Sequence, residues 1–153
     1  REERTTEGGL DAAGASARLR PMVAALGEAG VRVSLFIEPD RRQLEAAVAV
    51  GAPVVELHTG AYCDAVGARR EAELARLVEA AAAAAALGLE CHAGHGLSFE
   101  TVGPVAAIAT IAELNIGHFL IGEAIFCGLD AAIRRMRAAM DQARAAGGGR
   151  KSA

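Results

Sequence analysis

The chain has 153 residues, enough for one core and one domain, with 16 Lys+Arg against 19 Asp+Glu and a net charge of −3. Aromatic residues make up only 3% and Trp is absent, so neither a basic patch nor a stacking platform for nucleic acid is present. No apolar run approaches the roughly 20 residues of a membrane span. The alanine run from Ala80 to Ala86 is a helix former bounded by charge upstream and by Gly88. The opening residues are polar and charged, so no signal peptide is expected. The three cysteines, Cys63, Cys91 and Cys127, fall in separate segments, which fits reduced thiols in a cytoplasmic protein. The start at Arg1 reads like the middle of a loop, as in a fragment.

Thr5 to Asp11 (TTEGGLD) is polar and glycine-bearing and leads into a helical pattern carried by Leu19, Met22, Val23 and Leu26. Gly27 and Gly30 close that helix, and the β-branched run Val31 to Ile37 predicts the first strand. Asp40 is the expected N-cap of a helix over Arg41 to Val50 that ends at Gly51. Pro53 to Leu57 predicts the second strand, running into His58-Thr59-Gly60. A looser segment from Ala61 to Ala68 precedes a long helix, Arg69 to Leu87, and Leu89 to Ala93 predicts the third strand. Val102 to Ile111 is read as a short helix capped by Ser98 or Thr101, and Asn115 to Ile121 as the fourth strand with Gly122 beyond it. Leu129 to Ala146 predicts the last helix, with Ile133, Met136 and Met140 on one stripe, and Gly147 to Ala153 a disordered tail.

Helix and strand alternate throughout, and the strands are apolar on both faces, which implies a parallel sheet. Either a doubly wound sheet or part of a (β/α)₈ TIM barrel would satisfy that rhythm. A doubly wound sheet usually advertises a G-x-G-x-x-G loop after its first strand, and none occurs here. A barrel places its chemistry at the C-terminal ends of successive strands, with phosphate after the last two. The suspicious residues follow that layout: Glu56 and His58 at the second strand end, His95 past the third, Gly117-His118 and Gly122 along the fourth. Four units cannot close an eight-stranded barrel of about 250 residues, so the remaining units lie upstream or two such chains pair.

Gly94-His95-Gly96 combines a tight turn with the one side chain that exchanges protons near neutral pH. Glu56 lies in a strand between Val55 and Leu57, where an unpaired carboxylate is costly, so it reads as functional, with an ion pair to a neighbouring strand as the alternative. His58 shares its sheet face and is read as a packed core histidine, with a supporting partner of the site residues as the alternative. His92 is expected to face the outer helices. His118 follows Gly117 inside the fourth strand, where glycine permits close approach of a ligand. No C-x₂-C or H-x₃₋₅-H spacing occurs, and a cysteine nucleophile has no visible base, so metal-free acid–base chemistry is expected.

The runs TTEGGLD from Thr5, VSLFIEPD from Val33, GAPVVELHTGAY from Gly51, LGLECHAGHGLSFETV from Leu87 and ELNIGHFLIGEAIF from Glu113 together resemble the pyridoxine 5′-phosphate synthases of the deoxyxylulose-dependent vitamin B6 pathway. That resemblance implies a (β/α)₈ barrel, of which residues 1–146 form the C-terminal half with about four parallel strands. It implies a cytoplasmic homo-oligomer, commonly an octamer, that needs no metal or organic cofactor. The implied reaction condenses 1-deoxy-D-xylulose 5-phosphate with 3-amino-2-oxopropyl phosphate, closing the pyridine ring and releasing inorganic phosphate and water. By position, His95 corresponds to a proton donor and Glu56 to a stabiliser of the transition state. Thr5 corresponds to a contact of deoxyxylulose phosphate, and Gly96, Gly117 and His118 to the seat of the aminoketone phosphate.

Members of that family carry a further N-terminal part of about three and a half βα units, by the eight-unit count of the barrel. It supplies an Asn, an Asp-His pair, a phosphate-binding arginine and a catalytic histidine and glutamate. The 153-residue chain alone is therefore expected to be inactive. Two other readings stay open: another phosphosugar barrel enzyme of epimerase or isomerase type, or a non-catalytic remnant that self-associates through its open strand edges.

Overall fold

A computed structural model describes residues 8–148. The elements in order are α1 (Ser16–Glu28), β1 (Ser34–Ile37), α2 (Arg41–Val50), β2 (Val54–His58), α3 (Gly60–Asp64), α4 (Gly67–Ala86), β3 (Glu90–Gly94), α5 (Val102–Ala106), β4 (Ile111–Asn115), α6 (His118–Cys127) and α7 (Leu129–Gly148). The four strands form one sheet in the order β1-β2-β3-β4, and every pairing is parallel. This is the parallel α/β sheet that the alternation of elements predicts, and its unbroken order β1-β2-β3-β4 is that of part of a TIM barrel.

Local chemistry fixes the element ends. Asp40 caps α2 by accepting from the amides of Arg42 at 2.7 Å and Gln43 at 3.4 Å. Gly51, in the left-handed region at φ 87°, ends the same helix. Asp11 accepts from Gly14 N and Gln43 Nε2, and Gln43 Oε1 accepts from Ala13 N, which ties the turn from Asp11 to Gly14 to α2. Leu10 N donates to Phe36 O at 2.7 Å, so Leu10 lies against the carboxyl end of β1.

The two faces of the sheet differ. Leu35, Ile37, Val55, Leu57, Cys91 and Ala93 point into one apolar core with Leu19, Val23, Leu44, Ala47, Leu77, Ala80, Ala81 and Ala84 from the helices. Ala80, Ala81 and Ala84 present only methyls to the sheet, so α4 packs over the β2 and β3 side chains without bulk of its own. Burial pushes the Cys91 thiol up to about 12, which makes it an inert core group. Phe36, Glu56 and His92 are register partners across β1, β2 and β3, so they share the opposite face.

Four expectations change. The fourth strand is Ile111–Asn115, and the run from Asn115 to Ile121 is divided between the end of that strand and α6, because a short apolar β-branched run has no period that tells a strand from a helix. The helix expected over Val102 to Ile111 accordingly stops at Ala106. The segment Ala61 to Ala68 is not loose: it holds α3 and the start of α4. At the C-terminus α7 runs through Gly148, two residues into the expected tail, whose remaining residues, 149–153, lie outside the described part.

Candidate active site

Strand register gathers the site. Glu56, His58, His92 and Gly94 alternate onto the face opposite the apolar core, where Glu56 pairs with His92, and His58 with Gly94. His92 therefore faces the barrel interior, not the outer helices. Its ring lies 2.8 Å from Glu90 Oε1 and 3.7 Å from Glu113 Oε1, and an imidazole between two carboxylates belongs on the polar side of the sheet. Arg32 and His92 hold the Glu90 carboxyl down at about 2.

Glu56 reaches across β3 to β4, where Asn115 Nδ2 donates to its Oε2 at 2.9 Å. The reach depends on Gly94. A Cβ there would overlap the Glu56 carboxylate and lie 2.9 Å from the Asn115 carbonyl oxygen. Half-burial pushes the Glu56 carboxyl above its ordinary range, with the Asn115 hydrogen bond and the nearby histidines pulling the other way. Its hydrogen-bond partner is thus a neutral amide, not the cation that an ion pair between strands would require.

His95 follows β3 in the left-handed region at φ 79°, the only non-glycine there among the described residues. That conformation costs roughly 1–2 kcal/mol for an ordinary residue and must be held from outside. Thr59 holds it. Its hydroxyl, with one proton to give, lies 2.7 Å from Gly94 O and 2.5 Å from His95 O, and its amide donates to Gly94 O at 2.9 Å. Gly96, also at φ 79°, packs on α3, where a Cβ would lie 3.1 Å from that of Cys63. His95 itself stays exposed.

His118 is the first residue of α6 and Gly117 its N-cap, rather than members of a strand. Phe99, in the loop after β3, meets Phe119 edge-on at 4.8 Å and takes the Arg135 guanidinium over its ring at 3.9 Å, which fixes the start of α6 against α7. The consequence is a cavity of about 790 Å³ whose walls include Glu56, His95, Gly96, Gly117 and His118. Five of the six predicted site residues thus meet in one space. Thr5 lies outside the described residues.

Phe36 and Asn115 also line the cavity, and sequence reasoning did not single them out. Asn115 has a legible signal, as the last strand residue before Ile-Gly-His, once the strand is placed correctly. Tyr62 is buried and donates to Thr101 O at 3.0 Å, so it supports the loop after β3 rather than lining the cavity.

The profile of the pyridoxal phosphate biosynthesis protein PdxJ family matches residues 1–142. The chain belongs to the PdxJ family. It is 72% identical to the pyridoxine 5′-phosphate synthase of Rhodospirillum rubrum over 94% of this chain and 58% of that protein. Its identity to the synthase of Zymomonas mobilis is 63%, over 95% of this chain and 57% of the relative. For that of Jannaschia sp. the identity is 62%, over 94% and 60%. The chain thus spans about three-fifths of the length of the curated PdxJ relatives it matches. Among the described residues no helix is long and apolar enough to cross a membrane.

Proposed function

We propose that this chain is the C-terminal half of a pyridoxine 5′-phosphate synthase, which joins 1-deoxy-D-xylulose 5-phosphate to 3-amino-2-oxopropyl phosphate. The observation that carries the reading is the convergence of Glu56, His95, Gly96, Gly117 and His118, from three consecutive strand ends, on one cavity. In this reading the backbone amides of Gly96 and Gly117 and the ring of His118 hold the aminoketone phosphate. Glycine amides approach an oxyanion without a side chain in the way, and the start of α6 favours negative charge.

His95 is the proton donor. Closing a pyridine ring expels water and phosphate, and each leaves more readily when an acid hands its oxygen a proton. The Thr59 clamp fixes the His95 backbone beside the cavity, so the main chain that carries the donor needs little reorganisation when the substrate arrives. Glu56, oriented by Asn115, supplies a carboxylate beside the positive charge that develops as amine and ketone condense. Thr5 is assigned to deoxyxylulose phosphate through the family resemblance. The other acid–base groups come from the N-terminal part found in full-length members. Inorganic phosphate is a product, no metal or organic cofactor is required, and the working form is a cytoplasmic homo-oligomer.

The test is a chimera that joins the N-terminal part of the R. rubrum relative to this chain. It is expected to make pyridoxine 5′-phosphate from the two substrates, while the 153-residue chain alone makes none. His95→Asn in the chimera should lower kcat by about 10²–10⁴. A folded chimera without product, assayed beside an active R. rubrum parent, would reject the assignment. Product from the isolated chain would reject its dependence on an N-terminal half.

A further inference from the structure

The three residues that follow Leu57 all converge on His95, yet the chemistry proposed above uses only Thr59, and only through the His95 backbone. The His58 ring lies against the His95 ring, with centroids 4.8 Å apart and planes 26° from parallel. Phe36 meets His58 edge-on at 5.1 Å and stands 6.4 Å from the His95 ring, so it flanks the stacked pair. Thr59 clamps the carbonyls of Gly94 and His95. Gly60 leaves the space that both rings occupy: a Cβ there would lie 2.7 Å from His58 Cε1 and 3.2 Å from His95 Cδ2.

His58 is not a satisfied core histidine. Both ring nitrogens are buried and neither makes a hydrogen bond among the described residues. Glu38 Oε1 stands 3.3 Å from Nδ1 but off the hydrogen-bonding direction, and its other oxygen accepts from Arg76 at 2.9 Å. A residue serving the core alone would be cheaper as an apolar ring, because each stranded nitrogen has given up water for nothing. The imidazole presents a flat face to His95 and a polar edge to the Glu38 carboxylate.

We propose that His58 is a positioning residue for His95: within a His58-Thr59-Gly60 cradle its ring face sets the angle at which the His95 imidazole enters the cavity. The clamp at Thr59 fixes the His95 backbone, but side-chain torsion remains free on an exposed residue, and the stacked ring is what limits it. The inference rests on the proposed role of His95 for its importance, though not for its geometry.

The experiment follows the ring directly, by ¹³C–¹H correlation NMR of histidine in this chain. The His95 signals, identified by their loss in His95→Asn, should be displaced from free-histidine positions by the ring currents of His58 and Phe36. His58→Ala is expected to bring them back towards free-histidine positions while the His118 signals stay in place. His58→Phe, which keeps a flat ring, should leave them displaced, with a thermal midpoint no lower than wild type. His95 signals unmoved in a folded His58→Ala, or released in a folded His58→Phe, would overturn the proposal. If His58→Ala does not fold, the phenylalanine variant decides alone. The readout needs no turnover, so a silent chimera would reject the synthase reading and leave this result standing.

Discussion

The ends of β3 and β4 each present a glycine and a histidine to the same cavity, yet they are built in opposite ways. At β3, Gly94 has no room for a methyl and His95 is held in a strained backbone conformation by Thr59. At β4, Gly117 has open space around it, and the helix it caps buries none of its residues. One end is a fixed tool and the other an open seat. That contrast fits a proton donor that must be aimed and a phosphate site that must admit and release its ligand.

The strongest way to break the contrast is Gly94→Ala. The new methyl meets the Glu56 carboxylate and the Asn115 carbonyl, which belongs to the neighbouring strand and cannot swing aside. A loss of about 1–3 kcal/mol is expected, or roughly 2–4 °C in Tm per kcal/mol for a chain of this size. Urea titration measures it, and a loss below about 0.5 kcal/mol would show that β3 and β4 part easily. Thr59→Val comes next. It keeps shape but removes the hydroxyl that reaches the Gly94 and His95 carbonyls, for a cost of about 1 kcal/mol. The Thr59 amide still serves Gly94 O, which keeps the effect below that of Gly94→Ala.

Much of this was open to sequence reasoning, for identifiable reasons. Asp40, Gly51 and the apolar period fix α2 to the residue, because caps and periodicity are local. Glu56, His95 and Gly96 were legible because glycine turns and a lone strand carboxylate stand out against an apolar background. The facing of His92 was not, since it depends on register with Glu56 on a neighbouring strand. Nor was the helical state of His118, because its apolar neighbours fit either element. The Glu56–Asn115 bond spans three strands and has no local signature at all.

A smaller effect separates two carboxyls of the polar face by pH. Burial raises the Glu56 carboxyl, so the folded chain holds more protons than the unfolded chain from the usual 4.5 up to that raised value. Stability from this group therefore falls as pH rises through that window, and Glu56→Gln should remove the fall. Glu90 runs the other way. Its carboxyl is held at about 2, so its contribution is present above 4.5 and is lost as pH drops towards 2. Thermal midpoints of wild type, Glu56→Gln and Glu90→Gln across that range should show slopes of opposite sign. An unchanged slope above 4.5 in Glu56→Gln would mean that the carboxyl is solvated after all.

Gly117→Ala should have the smallest effect on stability and the most telling one on the seat. Its φ of −109° is open to alanine, and a Cβ there meets nothing within 4 Å. The fold should hold within about 0.5 kcal/mol, as for a surface substitution. The methyl would nevertheless stand in open space beside the cavity, where the proposed seat needs a phosphate oxygen to approach the backbone amide. Inorganic phosphate, titrated by calorimetry, should therefore bind more weakly to Gly117→Ala than to wild type. A stability loss as large as that of Gly94→Ala would erase the difference between the two strand ends. Unchanged phosphate affinity with an intact fold would move the anion seat away from Gly117 and leave Gly96 and His118 to form it.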